Sequence, residues 1–355
     1  MKLNTNKMKM ILLTPLSNLW ENVYRVRRSL YEYGLFKKEY FKVPIISIGN
    51  LTFGGTGKTP IIIWLVTKLE SYGFDSVILT RGYKGKLEHK DGMIKGGQRF
   101  LSNPQEYGDE PLLISKKMKK GAVVVGKRRS ANLKKYFPLI KPDVVLLDDG
   151  FQHIQLYRSF NIVLFDALLP LDQYKTAPLG YLREGLTALK DADAILISRA
   201  DQVDEAKVES LLNLLSKHHR PNIPIGRFSY EPTEIVDCFD KHVMDLEDLE
   251  DQNVIALTGI ASPDSFYHLL ENHGAKILKK MVYPDHHYFE HHDINEILIE
   301  CVKHNAIVVT SEKDMVKIRK VTKDQRFVSV NIQVKFQSGE EDLLQKIRKI
   351  LNLDH

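Results

Sequence analysis

The sequence predicts an α/β fold: a doubly wound, mostly parallel sheet, a smaller second α/β domain, and an amphipathic helix at the N-terminus. Three observations predict it. Short, nearly all-apolar runs recur at 43–48, 76–79, 122–125, 144–147, 162–165 and 194–197, and strands buried on both faces are what a parallel sheet needs. The stretches between them are long enough for crossover helices. After Arg220-Pro221-Asn222-Ile223-Pro224 and an acidic segment at 245–251 the pattern has restarted, so the expected division is 1–40 for the N-terminal helix, 41–225 for the main domain and 226–355 for the second. A length of 355 residues with 43% hydrophobic and 27% charged residues suits a folded chain of about two domains.

Near the N-terminus, Leu16, Leu19, Trp20, Val23, Val26 and Leu30 fall on one helical face, with Tyr24 and Tyr31 at its margin. Arg25 and Arg28 lie off that face and Arg27 within it. Such a helix suits a bilayer interface, its arginines reaching outward; packing on its own domain is the alternative, and both stay open. The chain has no apolar run of about 18 residues, the length a membrane span needs, and its basic start lacks a secretory pattern. Beyond the run at 43–48, a helix is expected over 61–70. In the second domain, strands are expected at 254–257, 275–278, 307–309 and 327–330, with helices near 262–272 and 293–304. Cys238 and Cys301 have no metal or redox spacing and read as buried small hydrophobes in a reducing compartment. The formal charge of +6 favours acidic partners, whether nucleotide, nucleic acid or anionic membrane, without choosing among them.

Ligands of doubly wound sheets sit at the carboxyl ends of strands. There the chain places Gly49-Asn50, Thr80-Arg81-Gly82-Tyr83, Gly126-Lys127-Arg128, Asp148-Asp149-Gly150, Asp166 and Ser198-Arg199-Ala200-Asp201. Between the first strand and its helix stands Gly54-Gly55-Thr56-Gly57-Lys58-Thr59-Pro60, a phosphate-binding loop. Backbone N–H groups and the positive helix end would surround phosphate oxygens, Lys58 would reach the terminal phosphates and Thr59 a Mg²⁺. The strict pattern has glycine where this chain has Thr52. The run 144–147 delivers Asp148 and Asp149 to the same end, as a metal-binding carboxylate strand would; capping of a following helix is the alternative.

A kinase also needs a base for the acceptor hydroxyl and cations for the transferred phosphoryl group. Asp109, Glu110, Glu184 and the Asp285-His286-His287 cluster are candidate bases; Arg81, Arg128 and Arg183 are candidate cations, and spacing does not rank them. The segment 285–293 carries His286, His287, His291 and His292. Its adjacent pairs suit a tetrahedral zinc site poorly, and a single catalytic histidine is as economical.

Taken together these motifs resemble the tetraacyldisaccharide 4'-kinase (lipid A 4'-kinase) family. The likeness runs from Ile48-Gly49-Asn50-Leu51-Thr52 and the glycine loop through Thr80-Arg81-Gly82-Tyr83, Gly108-Asp109-Glu110-Pro111 and Asp148-Asp149-Gly150-Phe151-Gln152-His153. It continues through 178–184, Thr258-Gly259-Ile260, Pro284-Asp285-His286-His287 and Thr310-Ser311-Glu312-Lys313-Asp314. The family also carries threonine at the place of Thr52. The resemblance implies a P-loop NTPase-type kinase that moves the ATP γ-phosphate to the 4'-hydroxyl of a tetraacylated disaccharide 1-phosphate in lipid A biosynthesis. By motif, Asp109 is the catalytic aspartate with His286 as partner, though His287 stays open. Lys58, Arg183 and Arg128 act on phosphoryl charge, and Thr52, Gly54, Gly55, Thr56, Gly57, Lys58 and Thr59 bind ATP. Thr59, Asp148, Asp149 and Glu184 surround Mg²⁺, and Asn50, Tyr83 and Gln152 contact ligands. If His286 lies in the second domain, its pairing with Asp109 waits on domain closure. A lipid substrate implies peripheral attachment to the anionic cytoplasmic face of the bacterial inner membrane, no nucleic-acid partner, and a monomer. One departure is Gly185, where proline often follows the glutamate. The competing assignment is a switch or metallochaperone of the SIMIBI class of P-loop NTPases, whose ATPases often carry a lysine before the glycine pair, where this chain has Phe53.

Overall fold

The computed structural model describes residues 5–97 and 103–353. Residues 1–4 of the expected N-terminal segment and 354–355 of the expected second domain lie outside the described residues. Helix α1 (Thr5–Glu32) comes first, and β1 (Ile45–Asn50) leads through the glycine loop into α2 (Lys58–Ser71) and β2 (Ser76–Thr80). Next are β3 (Gly92–Lys95), α3 (Pro104–Tyr107), α4 (Asp109–Lys117), β4 (Ala122–Val125), α5 (Arg129–Ile140), β5 (Val144–Asp148), β6 (Phe160–Asp166), β7 (Ala194–Ser198) and α6 (Glu205–Ser216). The last part of the chain forms β8 (Ile225–Val236), β9 (His242–Met244), β10 (Asn253–Thr258), α7 (Pro263–Glu271), β11 (Lys276–Val282), α8 (His291–His304), β12 (Ile307–Ser311), α9 (Glu312–Ile318), β13 (Phe327–Ser338) and α10 (Glu340–Ile350).

These elements gather into two compact units. The first holds the described residues up to Leu79, Leu133–Ser229 and those from Lys335 onward; the second holds those of Thr80–Asn132 together with Tyr230–Val334. The division expected from chain order, 41–225 against 226–355, differs from this. Helix α4 lies against α9, where Lys117 Nζ is 2.5 Å from Glu312 Oε1, and Lys116 Nζ is 2.6 Å from Asp240 Oδ1. Those pairs tie residues 80–132 to the second unit. The C-terminal segment returns to the first unit, with Phe336 against Trp64 at a ring separation of 4.8 Å and Lys68 Nζ 3.0 Å from Glu340 Oε1.

In the first unit the strand order is β2-β5-β1-β6-β7-β8, parallel throughout. Ile46, Ile48, Val145, Leu147, Ile162 and Leu164 are fully buried, which explains the uninterrupted apolar runs. From β1 the chain reaches β2 beyond β5, while β6 takes the other flank of β1. That reversal is a topological switch point, and the loops after β1 and β5 open at it. Phe151, Phe165, Leu182, Leu189 and Ile195 fill the core behind those loops.

Helix α1 packs on this unit through its polar side. Ser17 and Arg28 are buried, whereas Leu16, Leu19, Val23 and Val26 of the predicted apolar face are 54–62% exposed. No helix among the described residues is long and apolar enough to cross a membrane.

In the second unit the order is β11-β10-β12-β13-β8, with β10 parallel to both β11 and β12 and with β9 antiparallel on β8. Strands β3 and β4 pair antiparallel. Ile255, Leu257, Phe289, Ile297, Met315 and Phe327 make the core on one face. Strands β3, β8 and β9 were not expected: β3 and β9 are short and of mixed polarity, and β8 carries Glu231, Pro232 and Glu234.

Phe165 is fully buried in the first unit. Phe165→Ala should lower that unit's stability by about 3–5 kcal/mol, read as a shift of the urea midpoint at constant slope.

Candidate active site

The first unit builds a phosphate cradle from the ends of β1 and β5. Gly57 caps α2 in the left-handed region, φ 84°, where a side chain would be strained. Lys58 then opens the helix. Its Nζ lies 3.4 Å from Asn50 Oδ1 and 3.5 Å from Asp149 Oδ1. Asn50 ends β1 and its Nδ2 donates to Thr52 Oγ1 at 3.4 Å and to Gly54 O at 3.5 Å. Thr52, the irregular position, forms an isolated antiparallel bridge with Leu182. Beside it Phe53 N donates to Tyr181 O (2.8 Å) and Arg183 N to Leu51 O (2.6 Å). This pairing delivers Arg183, whose Nη1 donates to Asp149 Oδ2 at 2.8 Å while its guanidinium covers the Phe53 ring.

Asp148 is buried at the end of β5, in register with Ile48, and Asp149 follows in the left-handed region, φ 48°. Thr56 Oγ1 is buried and makes no hydrogen bond among the described residues, which suits a loop made to close on an oxyanion. Gln152 Nε2 donates to Asn50 O at 3.0 Å, so its amide supports the cradle from below.

Glu184 is held by the N-terminal helix. Its carboxylate is buried and accepts from Arg28 of α1, with Nη2 to Oε2 at 2.9 Å and Nε to Oε1 shorter. Among the described residues no three His, Cys, Asp or Glu side chains come together as a metal cage. Arg28 also pairs with Asp191 at 2.5 Å. The expectation that the helix arginines reach outward therefore holds for Arg25 alone: Arg27 Nη1 donates to Gln152 O at 3.0 Å. Gly185 leaves room for α1, since a Cβ there would lie 2.5 Å from Glu21 Cδ.

The second unit holds a charged cluster around Asp109. Gly108, at φ 90°, turns the chain into α4, and Asp109 starts the helix almost fully buried. Both carboxylate oxygens lie 3.0 Å from His286 Nδ1. His287 instead meets Asp293 Oδ2 at 3.0 Å, the residue that closes the capping box of α8, and stacks on Tyr283. His291 and His292 are exposed at the start of α8. The four histidines thus take separate places, and His286 is the one that reaches Asp109 within a single unit, without any domain closure.

Burial pushes the Asp109 pKa upward, but the His286 hydrogen bond and the charges of Lys313, His286 and Lys317 outweigh it. The carboxyl is held well below the usual range. Tyr83 sets its ring edge-on to His286 at 5.3 Å. Arg128 is exposed after β4, and Arg81 pairs with Glu88.

A family model described as tetraacyldisaccharide-1-P 4'-kinase (LpxK) matches residues 9–352. The chain belongs to that family. It is 36% identical over 305 residues to the tetraacyldisaccharide 4'-kinase of Desulfotalea psychrophila, covering 86% of each chain, and 34% identical to that of Anaeromyxobacter sp., covering 95% of this chain and 91% of the relative. Among solved structures it is similar to LpxK from Aquifex aeolicus in complex with ATP, with a TM-score of 0.77, 28% identity, and coverage of 96% of this chain and 98% of that one.

Within this family member, residues that sequence reasoning left without a role stand in the clusters. Arg199 Nη2 donates to Gly55 O at 3.1 Å from beneath the loop, and its Nε to Asp166 Oδ1 at 2.9 Å; both lie at strand ends, where a signal was present. Arg28 had only its position off the apolar face to mark it. Lys313 and Asp314 lay in a quoted motif without a role, and Lys317 lay one helical turn beyond Lys313.

Three outcomes follow from this geometry. Gly57→Ala places a β-carbon in the left-handed region and should weaken nucleotide binding several-fold while costing about 1–2 kcal/mol of stability, both read by titration and melting. Arg28→Met leaves Glu184 buried without its cation and should destabilise the first unit by about 3–5 kcal/mol. Asp109 has a folded-state pKa below the unfolded value of about 3.9. The stability it contributes is therefore complete above that pH and lost as pH falls toward the folded value. Urea midpoints of the wild type should fall on acidification below about pH 4, and Asp109→Asn should flatten that fall.

Proposed function

We propose that this chain transfers the γ-phosphate of ATP to the 4'-hydroxyl of a tetraacyldisaccharide 1-phosphate. Family membership over residues 9–352 carries this reading, and the clusters around Lys58 and Asp109 supply the chemistry it needs. Lys58, Arg183, Arg128 and the backbone of residues 54–59 neutralise and orient the phosphates. Lys58 and Arg183 are already gathered on Asp149, so their charges exchange one oxyanion for others when nucleotide enters.

The Asp109–His286 pair takes the acceptor hydroxyl's proton while the sugar oxygen bonds to the γ-phosphorus and the bond from that phosphorus to the ADP oxygen breaks. An ionised Asp109 orients the imidazole, as a base of this kind requires. Tyr83 and Asn50 are assigned to ligand contact, and Gln152 to holding Asn50.

The oxygen donors of Thr59, Asp148 and Asp149 fit a hard divalent cation such as Mg²⁺, which would neutralise charge on the β- and γ-phosphates when bound. Glu184, expected beside the metal, is also held by Arg28 and so supports the Arg183 segment.

The lipid acceptor is met at a bilayer surface, and α1 supplies the contact. Its exposed Leu16, Leu19, Trp20, Val23 and Val26 form a stripe that an anionic cytoplasmic leaflet would cover. Attachment is peripheral, on the inner-membrane face where ATP is available.

Purified protein with Mg-ATP and the tetraacyldisaccharide 1-phosphate in detergent micelles should yield one equivalent of the 1,4'-bisphosphate by mass. ATP hydrolysis indifferent to the lipid would favour a nucleotide switch instead. The double variant Leu19→Glu, Val23→Glu alters exposed positions and should cut association with anionic vesicles at least tenfold in sedimentation, with ATP affinity unchanged. Undiminished vesicle binding would remove α1 from the membrane contact.

A further inference from the structure

Two motifs have no part in the mechanism above: Thr258-Gly259-Ile260 and Thr310-Ser311-Glu312-Lys313-Asp314. Both converge beneath Asp109. Gly259 N and Ser311 Oγ donate to Asp314 Oδ2 at 2.9 and 2.8 Å, and Ser311 in turn caps α9. Asp314 Oδ1 lies 2.8 Å from Lys317 Nζ, and that ammonium lies 3.6 Å from Asp109 Oδ2. Lys317 is 1% exposed and Asp314 0%, so this pair has no solvent to stabilise it and is fixed by its partners.

One turn earlier on α9, Lys313 approaches the other side of the pair. Its Nζ lies 3.1 Å from Glu110 Oε1, 3.2 Å from Asp285 Oδ1 and 3.5 Å from His286 Nε2. An ammonium can only donate, so Nε2 is the accepting nitrogen and Nδ1–H points to Asp109. The tautomer is thereby assigned from the partners.

We propose that Lys313 and Lys317 are positioning residues for phosphoryl transfer, a two-lysine clamp on α9 that holds the Asp109–His286 pair in its proton-accepting form. The inference rests on the kinase reading and deepens it. Lys317 fixes the carboxylate from below, and Asp314, with Gly259 and Ser311, fixes Lys317. Lys313 holds the Nε2 side of the ring, and its charge helps keep Asp109 ionised. Among the described residues, the other charged or titratable groups around Asp109 and His286 include Glu110 on α4, Asp285 and Tyr288 on the loop before α8, Tyr83, and Lys84, whose Nζ donates to Asp285 O at 3.0 Å. The same balance shows on Lys313 itself: burial lowers its pKa, yet Glu110, Asp109 and Asp285 hold the ammonium above its ordinary value.

The test is the pH dependence of kcat for Lys313→Met, Lys313→Arg and Asp109→Asn in the full chain, with the lipid acceptor in micelles and saturating Mg-ATP. Lys313 is the site of choice because Lys317→Met leaves the buried Asp314 without its cation and endangers folding. Lys313→Met should lose about tenfold in kcat near neutral pH, move the acid limb up by about one pH unit and leave the KM for ATP within twofold. Lys313→Arg should restore the limb. An acid limb unmoved in Lys313→Met, with Asp109→Asn inactive, overturns the clamp while leaving the kinase reading intact. Full activity in Asp109→Asn overturns the kinase assignment of the pair itself.

Discussion

A carboxylate that is 3% exposed and still ionised is the constraint around which the second unit is arranged. Removing a charge from water costs several kcal/mol unless hydrogen bonds and opposite charge replace the solvent. For Asp109 the replacement comes from His286, Lys317 and the field of Lys313, and each needs its own support. Asp314 holds Lys317, Glu110 and Asp285 hold Lys313, and the left-handed backbone of His286, φ 63°, aims its ring. The packing of α4 on α9 and the ion pairs of Lys116 and Lys117 bring these groups within reach.

The first unit solves the opposite problem. Lys58 and Arg183 would repel one another if left bare, and Asp149 stands between them as a shared counter-charge. The loop itself is held by backbone bonds from residues 181–183 and by Asn50. Arg28 locks Glu184 and Trp20 Nε1 donates to Arg183 O at 2.9 Å, so α1 braces the segment that carries Arg183. A helix that binds through its polar side leaves its apolar side outward, the reverse of an ordinary surface helix.

Much of this was legible in the sequence, and the rest was hidden for definable reasons. The strands of the first unit showed because burial on both faces makes them continuously apolar, and the loop before Lys58 and Thr59 drew notice because glycines between a strand and a helix have few other uses. His286 and His287 were indistinguishable since neighbouring residues share one local pattern, and only the path to Asp109 or Asp293 separates them. The Arg28 partner of Glu184 was hidden because a carboxylate's partner is a tertiary fact, and Arg28 lies 156 residues away. The compact units differ from the division by chain order because the described residues of 80–132 join the second unit through side-chain pairs that leave no mark in chain order.

In the proposed mechanism the phosphates and the acceptor's proton are handled by different groups, Lys58 and its neighbours for the first and Asp109 with His286 for the second. Measuring ATP affinity and single-turnover phosphoryl transfer side by side on Asp109→Asn tests it most directly. ATP affinity should stay within twofold of wild type and transfer should slow roughly a hundredfold or more. Transfer at the wild-type rate, or a loss of ATP affinity as large as the loss of rate, would contradict it.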